Sequence, residues 1–319
     1  MIDARPARDS RGFWPAVALA ELEQLGRAAG SKVSRKEPLA RHTSMGVGGP
    51  TPLMVWPRHP EAVAEAIGWC AARGLRWRVL GGGTNVLVSD AGVAEPVFNL
   101  TALTDGARIT EPAAQFAAGT PTAQALRATL RLGLDGLVWA AGLPGTIGGA
   151  AAGNAGCWGG QMADVVTCLE VVDAGGEWHT VRAEQLNWRY RGAPLPPELG
   201  AGAVIVAVAV AVAAAVPAAL QRRFEELHAA KRQSQPIGAR NAGCIFKNPD
   251  ADHPAGRLID AAGCKGLRVG GAAISLLHGN FLINHGGATA ADVEQLVRRV
   301  RQAVREHSGM VLEEEIHRW

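Results

Sequence analysis

The sequence predicts a mixed α+β protein, and three features carry that expectation. Helix-type periodicity recurs from Pro60 to Arg73, from Pro121 to Leu132, from Pro217 to about Arg232, and from Thr289 onward. Strand-type alternation lies between these stretches. It is plainest from Ala203 to Val216, where Val204, Val206, Val208, Val210 and Val212 fall two apart. Glycine accounts for 40 of 319 residues. That is well above the ~7% usual in globular chains, and much of it collects in two segments.

Each element has a local cause. Residues 1 to about 20 read as a loosely held leader, and Met1 to Gly12 is charged and lacks the apolar core of a signal peptide. Pro60 suits the first turn of a helix, Val63, Ile67, Cys70 and Ala71 share one face, and Gly74 provides the exit. Arg76 to Leu80 reads as a short strand, Gly81 to Asn85 as a loop and Val86 to Val88 as a second strand-like run. Gly133 closes the helix that starts at Pro121, and strands follow around Val165 to Val172 and Glu177 to Val181. The valine run is shorter than the ~18 residues of a membrane span, and Pro217 stops it. Leu220, Phe224 and Leu227 then share a helix face, which puts a domain boundary near Pro217. Thr289 can cap the last helix with Asp292 three residues on. Val293, Leu296, Val297, Val300 and Val304 form its buried stripe, and Gly309 ends it. Val311 to Ile316 reads as a final strand.

Composition narrows the function classes. The chain is long enough for two or three packed units, and nearly half of it is apolar. A net charge of +3 with no run of five or more basic residues gives no reason to expect nucleic acid. Cys70, Cys157, Cys168, Cys244 and Cys264 are scattered and odd in number. They suggest neither a disulfide framework nor a zinc site, and they fit a reducing, cytoplasmic compartment. The expectation is a cytoplasmic monomer with no membrane, metal or nucleic-acid partner.

Two glycine segments carry the binding signal. The first is Leu80-Gly81-Gly82-Gly83-Thr84-Asn85. The second runs from Gly142 through Gly145-Thr146-Ile147-Gly148-Gly149 to Gly160, with eight glycines in nineteen residues. Backbone without side chains can converge on a phosphate. Either segment taken alone serves equally well as a flexible turn. Neither is a P-loop, since no Gly-Lys-Ser/Thr follows, and neither opens a helix as G-x-G-x-x-G. Two such segments about sixty residues apart favour an extended ligand with a diphosphate.

From about Arg41 to Glu315 the chain resembles the UDP-N-acetylenolpyruvoylglucosamine reductase family. The resemblance rests on blocks in the family's order: Arg41 to Pro50, Gly81 to Val88, Gly142 to Asp164, Tyr190-Arg191, Ala242 to Pro249, Ala255 to Asp260, Gly263 to Gly266, His278 to Phe281 and Leu312 to Glu315. It implies a two-subdomain FAD-binding unit of the p-cresol methylhydroxylase/vanillyl-alcohol oxidase type, followed by a smaller α+β substrate-binding domain. On this chain these are residues 21–216, which also receive the C-terminal strand, and residues 217–319. It implies non-covalent FAD, since Thr84 stands where related oxidases carry a flavin-linking His. The expected FAD contacts are Gly81, Gly82, Gly83, Thr84 and Asn85, then Gly145, Thr146, Ile147, Gly148 and Gly149, with Thr43 and Asn154. Only about a dozen residues separate Arg191 from Val204, which matches the family's shorter subtype, without an extra substrate loop.

The implied reaction is NADPH-dependent reduction of a sugar nucleotide in peptidoglycan precursor synthesis. Three residues are expected to be catalytic. Arg191 matches the family's catalytic arginine, and a guanidinium can grip a carboxylate at two points. Without the motif it would read as a surface arginine beside a turn. Cys244 falls where most members have a proton-donating serine. A thiol ionises near ~8.5, so it can act as an acid, although a small buried cysteine is the commoner role. Glu315 matches the final catalytic glutamate, whereas Glu313 and Glu314 read as a solvated edge. Tyr190, Lys247 and Asn248 are expected to contact substrate, and His278 and Asn280 to order the domain core. The competing readings are another FAD oxidoreductase of the same flavin fold, or a catalytically weak flavin- or nucleotide-binding protein.

Overall fold

The computed structural model describes residues 14–319. Packing divides the chain into two units. The first comprises residues 14–37, 51–82 and 94–228, and the second residues 38–50, 83–93 and 229–319. The division falls elsewhere than at Pro217. The helix beginning there buries Leu227, with Phe224 packed alongside, in the first unit's core, so the change of unit comes within that helix.

The first unit is built on two sheets. One has four strands in the order Lys32–Pro38, Pro50–Trp56, Val97–Asn99, Arg78–Leu80, and the last three run parallel. Helices α1 (Ala16–Ala28) and α2 (Pro60–Ala71) belong to it. The other has five antiparallel strands in the order Trp178–Arg182, Val166–Val172, Val204–Ala211, Ala113–Ala117, Arg108–Thr110. The alternating valines do what their spacing requires. Val204, Val206, Val208 and Val210 are all buried, and Val208 pairs with Phe116 across the ladder. Helices α3 (Thr122–Arg131), α4 (Ile147–Ala152) and α5 (Pro217–Ser234) complete the set.

In α2 the residues at helical spacing, Ala62, Val63, Ala66, Ile67 and Cys70, are buried. Burial pushes the Cys70 thiol up to about 12, so it is an inert core group. Residues 1–13 of the expected leader lie outside the described residues, whereas residues 14–20 are folded. Trp14 is buried against Trp69 and its indole N–H donates to the Arg76 carbonyl at 2.7 Å, which anchors the start of α1.

The second unit has a four-stranded antiparallel sheet in the order Arg240–Cys244, Phe281–Asn284, Ala272–Ile274, Arg268–Val269. It is covered by α6 (Ala255–Ala261) and α7 (Ala290–Ser308). The expected capping box is present in α7: Asp292 N–H donates to Thr289 Oγ1 at 3.1 Å, and Thr289 N–H donates to Asp292 Oδ2 at 3.0 Å. Val293, Leu296, Val297, Val300 and Val304 are fully buried.

A second cap comes from far away in sequence. Asp90 accepts from the amides of Ala290 at 2.7 Å and Ala291 at 3.1 Å, so its charge sits where the helix dipole favours an anion. Asp90→Ala is expected to cost about 1 kcal/mol of stability, read as a lowered melting temperature. An unchanged melting temperature would show that the Thr289–Asp292 box suffices.

The expected continuous strand over Val311–Ile316 is not formed. Only Glu314 bridges, to Phe246, and the pairing resumes at His317–Arg318, parallel to Val86–Leu87 in the same unit. The partner run around Phe246 is too short to carry a longer ladder. Among the described residues no helix is long and apolar enough to cross a membrane.

Candidate functional site

In the first unit the two glycine segments meet backbone to backbone. A Cβ on Gly82 would stand 2.8 Å from Gly145 Cα, and one on Gly81 would stand 2.6 Å from Thr146 Oγ1. No side chain fits there, so glycine is required by close approach. The second segment is not all loop. Thr146 caps α4 by accepting from Gly149 N–H at 3.3 Å. The amides of Ile147 and Gly148 are already committed, to Thr120 O at 2.9 Å and Ala118 O at 3.0 Å. Beside them the Thr120 hydroxyl is buried with no hydrogen-bond partner among the described residues. A bare-backbone cradle with an unsatisfied buried hydroxyl suits a diphosphate-bearing ligand such as FAD. Gly82→Ala is expected to weaken FAD binding about 10-fold or more by forcing the two segments apart. Wild-type affinity in a flavin-fluorescence titration would remove this cradle from the binding account.

Asn154 is held by its own side-chain hydrogen bonds within the first unit. It is buried in the left-handed region, at φ 40°, and its side chain is used within the unit. Its amide donates to Arg189 O at 3.0 Å and Gln161 Oε1 at 3.2 Å, and its carbonyl accepts from Ala163 N–H at 2.9 Å. Asn154 therefore braces the turn that carries Tyr190 and Arg191. That turn is closed by reciprocal backbone bonds between Arg189 and Gly192, at 2.8 and 3.2 Å. Arg191 sits at its tip with φ 59°, a strained value for a residue with a Cβ. Its guanidinium lies 5.1 Å from the Tyr190 ring, and Nη1 donates to Gly156 O at 3.4 Å. Tyr190 is exposed.

In the second unit the expected residues gather around one short segment. The Glu315 amide donates to Ile245 O at 2.7 Å, and the Lys247 amide to Glu313 O at 2.9 Å. This register sets Glu315 beside the residue that follows Cys244. Asn85 joins them, since its side-chain amide donates to Glu315 O at 3.1 Å and its carbonyl accepts from His317 N–H at 3.0 Å. Cys244 and Glu315 are both half-buried.

Lys247 Nζ pairs with Glu313 at 2.5 Å, and Glu314 pairs with Arg318 at 2.8 Å and Arg301 at 3.5 Å. Glu313 is exposed, as the reading of a solvated edge expects, whereas the Glu314 side chain is only 17% exposed beneath Arg301 and Arg318 and does not belong to such an edge. Asn248 Oδ1 accepts from the first amide of α6, Ala255 N–H, at 3.0 Å, and Thr43 Oγ1 donates to Val47 O at 2.9 Å within its own turn. Gly83 and Thr84 also lie in this unit, and Gly83 O accepts from Ser44 N–H at 3.0 Å.

Sequence reasoning missed Ser44, whose hydroxyl donates to Asn241 O at 2.6 Å and ties the 38–50 segment to the strand leading to Cys244. The signal available was its place inside the Arg41–Pro50 block. His278 and Asn280 lie in the core side of this unit as expected. Burial, helped by the Lys265 charge, holds the His278 pKa below its usual value, and its neutral Nδ1 accepts from Asn280 N–H at 3.2 Å.

Residues 51–182 match the family model for an FAD binding domain, and residues 235–319 match that for the UDP-N-acetylenolpyruvoylglucosamine reductase, C-terminal domain. With the two-sheet first unit, these matches define an FAD-dependent oxidoreductase. The chain is 37% identical over 295 residues to the UDP-N-acetylenolpyruvoylglucosamine reductase of Heliobacterium modesticaldum, covering 92% of this chain and 93% of that one. It is 40% identical over 292 residues to that of Moorella thermoacetica, covering 90% and 93%. The crystal structure of the Thermus caldophilus UDP-N-acetylenolpyruvylglucosamine reductase aligns with a TM-score of 0.77 at 37% identity, over 91% of this chain and 99% of that one. The chain belongs to the UDP-N-acetylenolpyruvoylglucosamine reductase family.

Proposed function

We propose that this chain reduces the enolpyruvyl group of UDP-N-acetylenolpyruvoylglucosamine to give UDP-N-acetylmuramate, with NADPH as the reductant, and that it does so as a cytoplasmic monomer. When bound, FAD supplies hydride transfer, from NADPH to the terminal carbon of the enolpyruvyl double bond. The remaining work is electrostatic and acid–base. Hydride addition places negative charge on the neighbouring carbon and its carboxylate, and one proton must be added to that carbon.

Arg191 grips the carboxylate and stabilises the charge that develops on it. Cys244 delivers the proton, passing from thiol to thiolate as the new C–H bond forms. Glu315 acts with Arg191 to polarise the carboxylate. Tyr190, Lys247 and Asn248 bind the sugar nucleotide. The cradle of Gly81, Gly82 and Gly145, beside the Thr120 hydroxyl, holds the FAD diphosphate.

The observation that supports this reading is the hydrogen bond from Glu315 N–H to Ile245 O at 2.7 Å, which pairs the backbone of Glu315 with the residue after Cys244. The test is steady-state NADPH oxidation. Consumption should require the enolpyruvyl sugar nucleotide, and the product should carry two more hydrogens than the substrate. NADPH oxidation at the same rate without the nucleotide would point to an oxidase instead.

A further inference from the structure

We propose that Asn280 is a positioning residue for the proton donor: its side chain acts as a surrogate strand that fixes where Cys244 points. This rests on the reading of Cys244 as the proton donor. The ladder that carries Cys244 has a fault. Asn241 pairs with Ile283 and Cys244 with Phe281, so one strand advances three residues while its partner advances two. The extra residue reverses the in–out alternation from Cys244 onward, which is how a bulge re-aims a side chain. Gly243 makes the bulge possible. It has φ 74°, its N–H donates to Asn241 Oδ1 at 2.9 Å, and a Cβ there would meet nothing within 4 Å. Glycine is needed for its conformation and not for space.

A bulge alone leaves the chain beyond it loosely registered, and Asn280 holds that chain. Its Oδ1 accepts from Phe246 N–H at 2.9 Å, and its Nδ2 donates to Phe246 O at 2.7 Å. Its backbone carbonyl accepts from Ile245 N–H at 3.0 Å. One amide side chain thus does for Phe246 what a neighbouring strand would do, offering one acceptor and one donor. The opposite edge of the same segment pairs with Glu313 and Glu315. Asn280 is 2% exposed and Phe246 1%, so water cannot replace the clamp. Cys244 is therefore held by the bulge before it and by the Asn280 clamp two residues after it.

The test uses Asn280→Ala, which removes both bonds, and Asn280→Asp, which keeps the size and the acceptor but loses the donor to Phe246 O. Two readouts are taken on the FAD-loaded protein. The first separates flavin reduction by NADPH from reoxidation by the enolpyruvyl sugar nucleotide. The second is the iodoacetamide alkylation rate of the Cys244 peptide, with the Cys157 peptide as internal control. Reoxidation is expected to fall about 10- to 100-fold with reduction unchanged, as a misplaced acid would give. The Cys244 alkylation rate is expected to change while that of Cys157 does not. Should Asn280→Ala fail to fold, Asn280→Asp decides. Wild-type reoxidation together with a wild-type Cys244 alkylation rate overturns the proposal. If the wild-type protein itself is not reoxidised by the nucleotide, the reading of the reaction fails. The alkylation rates then decide the clamp alone, and an unchanged Cys244 rate overturns it.

Discussion

Cys244→Ala is expected to leave flavin reduction by NADPH at the wild-type rate and to slow reoxidation by the enolpyruvyl sugar nucleotide about 100- to 10,000-fold, the usual share of a positioned general acid. The two half-reactions part because only the second needs a proton on carbon. The alanine adds no volume, and the backbone around position 244 is held by Asn280 and by the pairing of Ile245 with Glu315. A stable fold with a selectively slow second half-reaction is therefore the expected signature. Cys244→Ser restores a hydroxyl at the same place and should recover part of the rate. Stopped-flow traces of flavin absorbance read both steps. Equal reoxidation in Cys244→Ala and wild type would remove the thiol from the mechanism.

The second large effect is at Arg191, where strain and chemistry can be separated. Arg191→Ala and Arg191→Gly each delete the guanidinium and are each expected to lower kcat/KM about 100- to 1,000-fold, the scale seen when one charge-stabilising donor is removed. The two variants should differ in stability. Arg191 holds φ 59° at the tip of its turn, a conformation that glycine adopts freely and alanine does not. Arg191→Gly should therefore melt at or above the wild-type temperature, and Arg191→Ala no higher than wild type. A variant that gains stability while losing turnover marks a strained backbone kept for function. If Arg191→Gly lost stability instead, the turn would owe its shape to the guanidinium contacts with Tyr190 and Gly156.

Much of the fold was legible because its causes are local. The stripe of α7 and its Thr289 box, the proline start of α2, and the valine alternation of Val204–Ala211 all follow from spacing and capping within one segment. The glycine segments were legible as a cradle but not in their detail. The α4 sequence Ile-Gly-Gly-Ala-Ala-Ala contains two glycines, each costing about 1 kcal/mol in a helix, so propensity argues against it. Its cap and its packing override that.

The parts that were not legible depend on contacts between residues distant in sequence. Asp90 caps α7 from 200 residues away, Asn154 braces the Arg189 turn, and Asn280 grips Phe246, and no periodicity announces any of these. Nothing in an arginine's chemistry signals a left-handed φ, so the strain at Arg191 was invisible. The Val311–Ile316 segment reads as a strand in sequence, but a ladder needs a partner of equal length. Phe246 with its two neighbours offers only a short one.

The central claim is that this chain carries a hydride from NADPH to an enolpyruvyl sugar nucleotide through bound flavin. Its most direct test is an anaerobic absorbance titration of the FAD-loaded protein. The oxidised flavin bands are expected to bleach on adding NADPH and to return in full on adding UDP-N-acetylenolpyruvoylglucosamine. A protein that binds no flavin, or a bleached spectrum that the nucleotide leaves unchanged while oxygen restores it, contradicts the account.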